Sequence, residues 1–383
     1  AQATLRLKQR PTHTSLSGEL YRMACCLTVF LLAGLLALYM PIVLVASTYS
    51  MLLDFDLNIA AWAWMKSFCR YQDLPSEEDS RHLDQIHVAY ASDAEGFTAL
   101  LSSMLSVSLN VREPHRCTIH LIVPADDFDL ANELVDCFLR ELAGSSQKPT
   151  VSLHKAELAE LNRSTVFVSD WIRSNPRFQK SSAWMRLELD KYLPAVPRVV
   201  YLDIDTIVTA DIGQMYRMRM EHPLAAVWEI PVYFGTCVDE RYPNPPFDYA
   251  AWAFNSGILV VDLEKWRAQG LQQECERWLH AFQGCGGDQL AINFALQGNV
   301  DRLPWSWAVN GLGDKAMSDV IVPCIRSGVV FHWSGGDASS KPWLATRNKA
   351  WDHIFEPYIP RKHCSVLPKE VSALYSSWPR SAR

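Results

Sequence analysis

The run Arg198-Val199-Val200-Tyr201-Leu202-Asp203-Ile204-Asp205 decides the fold, because it enters after Pro197 as an apolar stretch of strand length and stops on two carboxylates one residue apart. An unbroken apolar run is the pattern of a strand buried on both faces, as in the middle of an α/β sheet. Ligands of open α/β sheets gather outside the carboxyl ends of such strands, so the pair is expected at the mouth of the sheet. In an ideal strand residues i and i+2 share a face, which lets Asp203 and Asp205 meet one hard cation that also holds a diphosphate. Taken alone, Asp-x-Asp is common and is usually a solvated turn or a helix cap.

Working outward, Gln85–Ala91 reads as a β-rich strand, and Phe97, Leu100, Leu101, Met104 and Leu105 then recur at helical spacing. Cys117–Val123 and Val151–Leu153 read as further strands with an amphipathic helix over Asp129–Leu142 between them. Alternation of this kind predicts an α/β fold, a mostly parallel sheet with helices on both faces. A helix is expected from Ser181 to Leu189, closed by Tyr192-Leu193-Pro194, and strands over Leu224–Trp228, Phe254–Asp262 and Gly328–His332. Between two of these lies a proline-bearing loop, Pro231–Asp248, long enough to be an acceptor-contacting surface.

Several polar residues fall at the ends of these elements, and each has a plain alternative. Asp93 follows the first strand, where an aspartate ordinarily caps a helix and where a nucleotide base can also be held. Asp288 opens a helix after Gly286-Gly287 as a cap or a sugar-binding carboxylate, and Gln289 beside it is solvated or aimed at the reacting centre. Asn255 can donate to and accept from sugar hydroxyls, and Gly257 lets backbone approach a ligand. Arg186 offers bidentate donors near the sheet mouth. His332 ends a strand, commonly a structural place, but beside two aspartates it becomes a third ligand for manganese, which accepts mixed oxygen and nitrogen sites.

The chain of 383 residues, 49% hydrophobic and 20% charged, is long enough for one large core, and its net charge of −6 argues against a nucleic-acid partner. Met23–Ser47 carries no charge and is about long enough to cross a hydrocarbon core of ~30 Å. Arg6, Lys8, Arg10 and Arg22 precede it while Asp54 and Asp56 follow, which sets a type II signal anchor with the bulk of the chain luminal. A cleaved signal peptide ending near Val45-Ala46-Ser47 is the rival, but the apolar run exceeds the ~7–15 residues of a signal-peptide core. The expected organisation is a cytoplasmic tail (1–22), anchor (23–47), stem (48–84), catalytic domain (85–360) and C-terminal tail (361–383). A luminal setting makes Asn162-Arg163-Ser164 a glycosylation acceptor and leaves eight of the ten cysteines, those outside the anchor, able to form disulfides.

Taken together and in order, Val88-Ala89-Tyr90-Ala91-Ser92-Asp93, Arg186-Leu187, Tyr201-Leu202-Asp203-Ile204-Asp205, Phe254-Asn255-Ser256-Gly257, Asp288-Gln289, Asn310-Gly311-Leu312-Gly313 and His332-Trp333-Ser334-Gly335 with Lys341-Pro342-Trp343 resemble family 8 of the retaining glycosyltransferases. Trp307–Gly313 and His332–Trp343 look most like its plant galacturonosyltransferase-like branch. The resemblance spans about Gln85–Tyr358 and implies the GT-A fold, a UDP-sugar donor, a glycan, polysaccharide or glycoconjugate acceptor, and a Golgi membrane location. It further implies that Asp203, Asp205 and His332 hold Mn2+ against the UDP diphosphate, and that Ala89 and Asp93 contact uridine, with Ile204 and Gly335 also in the donor-binding set. Arg186 and Lys341 would neutralise phosphate or orient the sugar, Asp288 and Asn255 hold sugar hydroxyls, and Gln289 lie beneath the anomeric carbon. One departure stands out: Gly336–Ser340 lengthen the loop before Lys341 by about three residues relative to the family pattern, which puts that lysine's role in question.

The chemistry so implied is departure of UDP with charge stabilised by a cation and by Arg and Lys, followed by same-face attack, since an amide such as Gln289 is a poor nucleophile. Glycoside hydrolysis also uses two carboxylates, but these flank the bond ~5 Å or more apart and need no metal. A catalytically silent sugar-nucleotide-binding protein of the same fold is the remaining alternative.

Overall fold

The expected central strand is β4 (Arg198–Leu202), buried along its whole length in the computed structural model, which describes residues 73–76, 83–156, 182, 184–228, 253–281, 287–313, 324–335 and 341–376. All of these belong to one unit, Met65–Arg383. The apolar run Met23–Ser47, most of the stem, Asn162 and the loop Pro231–Asp248 lie outside the described residues, and among those described no helix is long and apolar enough to cross a membrane.

In chain order the sheet uses β1 (Ile86–Ala91), β2 (Cys117–Pro124), β3 (Thr150–Ala156), β4, β6 (Leu224–Trp228), β7 (Phe254–Asp262) and the short β8 (Asp301–Arg302), while β5 (Thr206–Val208) and β9 (Val330–His332) form a separate two-stranded ribbon. The spatial order is β3-β2-β1-β4-β7-β6-β8. Within this seven-stranded sheet every pairing but those of β7 is parallel; β7 runs antiparallel to both β4 and β6, with Leu202 opposite Ile258. The mostly parallel expectation holds. The exception was not legible, because the apolar run Ile258–Val261 that marks β7 reads the same in either direction.

Alternate residues of β4 enter two cores. Val200 and Leu202 pack with Leu100, Leu101 and Met104 of α1 (Phe97–Asn110) and with Leu134 and Phe138 of α2 (Phe128–Glu141). Val199 and Tyr201 pack with Trp266 of α5 (Leu263–Ala268), Trp278 of α6 (Leu271–Ala281) and Phe294 of α7 (Asp288–Leu296). Helices therefore cover both faces. The helix expected over Ser181–Leu189 is instead a 3-10 turn, Met185–Glu188, followed by the single turn of α3 (Leu189–Tyr192). Asp93 likewise caps nothing with its side chain; α1 begins after Gly96, and Asp93 accepts a hydrogen bond from Ser182 Oγ at 3.1 Å.

The segment after β9 returns across α1 and α2 and is fastened there by the Cys137–Cys364 disulfide. Cys117 and Cys275 are buried free thiols, so two of the cysteines left open for pairing are plain core residues.

Three histidines cross β1, β2 and β3 as a chain of ring contacts. His87 Nδ1 lies 2.9 Å from His120 Nε2, and His120 Nδ1 lies 2.9 Å from His154 Nε2. Burial lowers all three from the ordinary 6.5, to about 4 for His87 and, with help from its two histidine neighbours, to about 3 for His120. The unfolded chain protonates these rings near pH 6.5 and the folded chain does not, so between pH 6.5 and about 4 the unfolded state holds more protons and stability falls as pH falls. The urea midpoint is expected to drop between pH 7.5 and pH 5, and His120→Gln to flatten that drop. Cys137→Ser, which releases a cross-link between residues 227 apart in sequence, is expected to cost about 2–5 kcal/mol in the same unfolding measurement.

Candidate active site

Asp203 and Asp205 do sit at the carboxyl end of the central strand, but not on one face of it. β4 ends at Leu202, and Asp203-Ile204-Asp205 turn the chain from β4 into β5. Thr206 Oγ1 closes that turn by donating to Asp203 O at 2.7 Å, and Asp203 N donates to Gly257 O of β7 at 2.7 Å. The turn, rather than the strand pleat, brings the carboxylates together.

The β5–β9 ribbon supplies the histidine. Its antiparallel register sets His332 opposite Thr206, one residue from Asp205, and Trp333 N donates to Asp205 O at 2.9 Å. His332 Nε2 then stands 3.2 Å from Asp205 Oδ1 and 3.6 Å from Asp203 Oδ2. One ligand atom from each of Asp203, Asp205 and His332 lies within 4.8 Å of the others, the only such group of metal-ligating side chains among the described residues. Gly257 faces this cluster without a side chain: a Cβ there would fall 2.2 Å from His332 Cε1 and 2.6 Å from Asp203 Oδ2. The glycine expected to admit a ligand to backbone instead leaves room for the ligating side chains themselves.

Two cations balance the carboxylates. Lys341 Nζ lies 2.6 Å from Asp205 Oδ2 and donates also to Trp333 O at 2.5 Å; the longer loop before it, Gly336–Ser340, lies outside the described residues. Burial opposes ionisation of Asp205, but His332, whenever its ring is protonated, and the Lys341 ammonium outweigh it and hold the carboxyl below the ordinary range. Arg186 reaches Asp203 Oδ1 with Nη2 at 2.9 Å and Asp288 Oδ2 with Nε at 2.7 Å, its guanidinium 5.0 Å from the centre of the Tyr201 ring. Burial works against its charge, yet Asp203 and Asp288 together raise its pKa further and keep it cationic.

Arg186 Nη1 also donates to Ser256 O at 2.9 Å and lies 3.0 Å from Ser256 Oγ, and Ser256 N donates to Gln289 Oε1 at 3.2 Å. A backbone N–H can only donate, so the Gln289 carbonyl is turned to β7 and its NH2 end away from it. Asp288 is the first residue of α7, with Gly287 as N-cap, and its side chain goes to Arg186 instead of capping. Asn255 Oδ1 accepts from Gly257 N at 2.8 Å, and Gly335 adopts φ 133°, a conformation open to glycine. Ile204 is half-buried in the Asp203–Asp205 turn. Ala89 requires a correction. It is fully buried inside β1 against the core shared with Tyr201, so it has no surface to offer uridine.

Sequence reasoning missed Tyr201, Ser256 and Asn310 as parts of the site. Tyr201 donates its hydroxyl to Asp203 Oδ1 at 3.2 Å, and Asn310 Oδ1 lies 2.9 Å from His332 Nδ1. Each lies in a stretch already singled out, so adjacency to the motif residues was the available signal. Gly257→Ala is expected to force His332 or Asp203 aside, costing about 1–3 kcal/mol in chemical denaturation, and to abolish divalent-ion binding measured by titration calorimetry.

Residues 87–347 match glycosyl transferase family 8. The probable galacturonosyltransferase-like 9 of Arabidopsis thaliana is 26% identical over 304 residues, covering 75% of this chain and 75% of that protein. Among solved structures, the galactosyltransferase LgtC in complex with donor and acceptor sugar analogs superposes with a TM-score of 0.55 at 17% identity, over 75% of this chain and 99% of that one. The WbbM bifunctional glycosyltransferase superposes at 0.57 and 19% identity over 79% of this chain, which spans about half of that structure, 53% of its length. These two likenesses are of fold, and they agree with the sheet and its helices. The family match covers most of the chain, including the Asp203–Asp205 turn, His332 and Lys341, and the chain belongs to glycosyl transferase family 8.

Proposed function

We propose that this chain is a retaining glycosyltransferase that moves a hexosyl, uronosyl or pentosyl unit from a UDP-sugar to a glycan or polysaccharide acceptor, with Mn2+ held by Asp203, Asp205 and His332. The observation that carries this reading is the convergence of that donor set with the Arg186–Asp288 pair and Gln289 at one end of the sheet. Two carboxylates and an imidazole suit a divalent ion of manganese type. A glycoside hydrolase would set its carboxylates to flank a bond; here Asp203 and Asp205 offer oxygens to one point beside His332. Bound there, the ion would supply Lewis-acid stabilisation of charge on the diphosphate leaving group.

The chain's own groups do the rest. Lys341, held on Asp205, is near enough to share its charge with a phosphate. Arg186 is already committed to Asp203 and Asp288, so its part is to orient these two carboxylates, with Asp288 directed to sugar hydroxyls. Gln289, whose carbonyl is occupied by Ser256 N, presents its NH2 end as a donor and not its oxygen as a nucleophile. That favours same-face attack, in which the acceptor hydroxyl passes its proton to the departing phosphate. Asp93, Asn255, Ile204 and Gly335 belong to the donor-binding set in this reading, and Met23–Ser47 anchors the enzyme in the Golgi membrane with its catalytic domain luminal.

The name of the Arabidopsis relative makes UDP-galacturonate the first donor to try. UDP release from a panel of UDP-sugars, with and without Mn2+, is expected to show metal-dependent turnover of one donor. Asp205→Ala should bring that turnover to background, and Arg186→Lys, which keeps the charge but not the planar fork, should lower kcat by roughly 100-fold. Donor binding without turnover under any acceptor would leave the silent sugar-nucleotide-binding protein as the better reading.

A further inference from the structure

Behind the imidazole of His332 lies a second polar side chain that the reaction as described does not use. Asn310 is 4% exposed and His332 is 3% exposed, and Asn310 Oδ1 lies 2.9 Å from His332 Nδ1. Its position is fixed by backbone. Val309 N donates to Val330 O, His332 N to Val309 O, Leu312 N to His332 O and Gly313 N to Ser334 O, so residues 309–313 are laced along β9 on both sides of Asn310. A Cβ on Gly313 would fall 2.4 Å from Trp333 O, which shows how closely the two backbones approach.

An amide oxygen only accepts, so the Nδ1 that faces it carries the proton, and in the neutral ring Nε2 is then left with its lone pair. That lone pair faces Asp205 Oδ1 at 3.2 Å and Asp203 Oδ2 at 3.6 Å. Three acceptors pointed at one another repel unless a cation lies among them. The opposite arrangement, with the amide reversed and Nε2–H donating to Asp205, would satisfy the ring and leave it no electron pair for a metal.

The Asn310 amide has a further property. Its Nδ2 has no hydrogen-bond partner among the described residues, and a buried unpaired donor costs about 1–3 kcal/mol. An apolar side chain of similar volume would fill the same space without that cost, so packing alone does not account for asparagine here.

We propose that Asn310 is a positioning residue that commits His332 to the Nδ1–H tautomer and thereby makes Nε2 the nitrogen ligand of the divalent-ion site. The proposal rests on the metal reading of Asp203, Asp205 and His332 and adds to it the residue that prepares one of the three ligands. Asn310 touches neither substrate nor ion; it acts through the ring it holds.

Two measurements on the full chain test it. The first needs no variant: 15N spectra of histidine-labelled protein at pH 8, with the His332 signals identified by their loss in His332→Gln, are expected to show a protonated Nδ1 and a lone-pair-bearing Nε2. The second is Mn2+ affinity, followed by the electron paramagnetic resonance signal of the free ion. Asn310→Ala is expected to weaken binding about 10–100-fold. Asn310→Asp, which keeps an acceptor on Nδ1, should bind at least as tightly as the parent even though its added buried charge lowers the unfolding midpoint below that of Asn310→Ala. A role in packing alone would make affinity follow stability, with Asp the weaker binder. A parent protein whose His332 carries its proton on Nε2 overturns the proposal, as does an Asn310→Ala variant that binds Mn2+ like the parent. A parent that binds no Mn2+ at all sinks the metal reading itself, and the proposal with it, and is told apart from the other two failures by the parent titration.

Discussion

Three carboxylates stand at one end of this sheet, and the constraint from which the site follows is that they cannot be withdrawn from water without positive charge among them. Asp203, Asp205 and Asp288 have side chains 23%, 13% and 9% exposed, which leaves little solvent to screen them. Removing a charge from water costs several kcal/mol unless it is paired and hydrogen-bonded. Arg186 answers two of the three, Lys341 answers Asp205, and His332 stands between Asp203 and Asp205. Every one of these partners comes from a separate part of the chain, so compensation of charge and assembly of the site are the same event.

The compensation is uneven, and the unevenness is informative. Arg186 is clamped by two carboxylates, a backbone carbonyl and an aromatic face, an arrangement with no slack. Lys341 has one carboxylate and one carbonyl on a flexible stem. A planar guanidinium held between two carboxylates suits a scaffold, whereas a point charge on a long chain suits a partner that can be exchanged when another anion arrives.

Much of this was legible before the fold was known. The apolar run into Asp203 announced a central strand because burial on both faces leaves no polar position in it, and the strand and helix periods on either side named the α/β class. His332 was legible as a strand end, but its partner was not: β5, three residues long, has too little sequence to show a period, and it is the β5–β9 register that carries the histidine to Asp205. The reversal of β7 was hidden for a related reason, since apolarity has no direction. Ala89 is buried with nearly all of β1, a strand covered on both faces, and a motif position does not report that burial. Arg186 is expected to neutralise phosphate or orient the sugar, and the structure pairs it with Asp203 and Asp288; such pairing depends on distances across the sheet that spacing along the chain does not encode.

The lysine that neutralises Asp205 lies 136 residues further along the chain. During synthesis the turn bearing the aspartates leaves the ribosome well before His332 and Lys341 exist, at a rate of ~5–20 residues per second. For several seconds the nascent sheet holds an acidic edge with no counter-charge from the C-terminal third. A chain interrupted in that interval has Asp203 and Asp205 without His332 or Lys341. Competence at this site therefore doubles as a check on completeness: a product that stops before Val330 can possess the central strand and still be unable to assemble the centre.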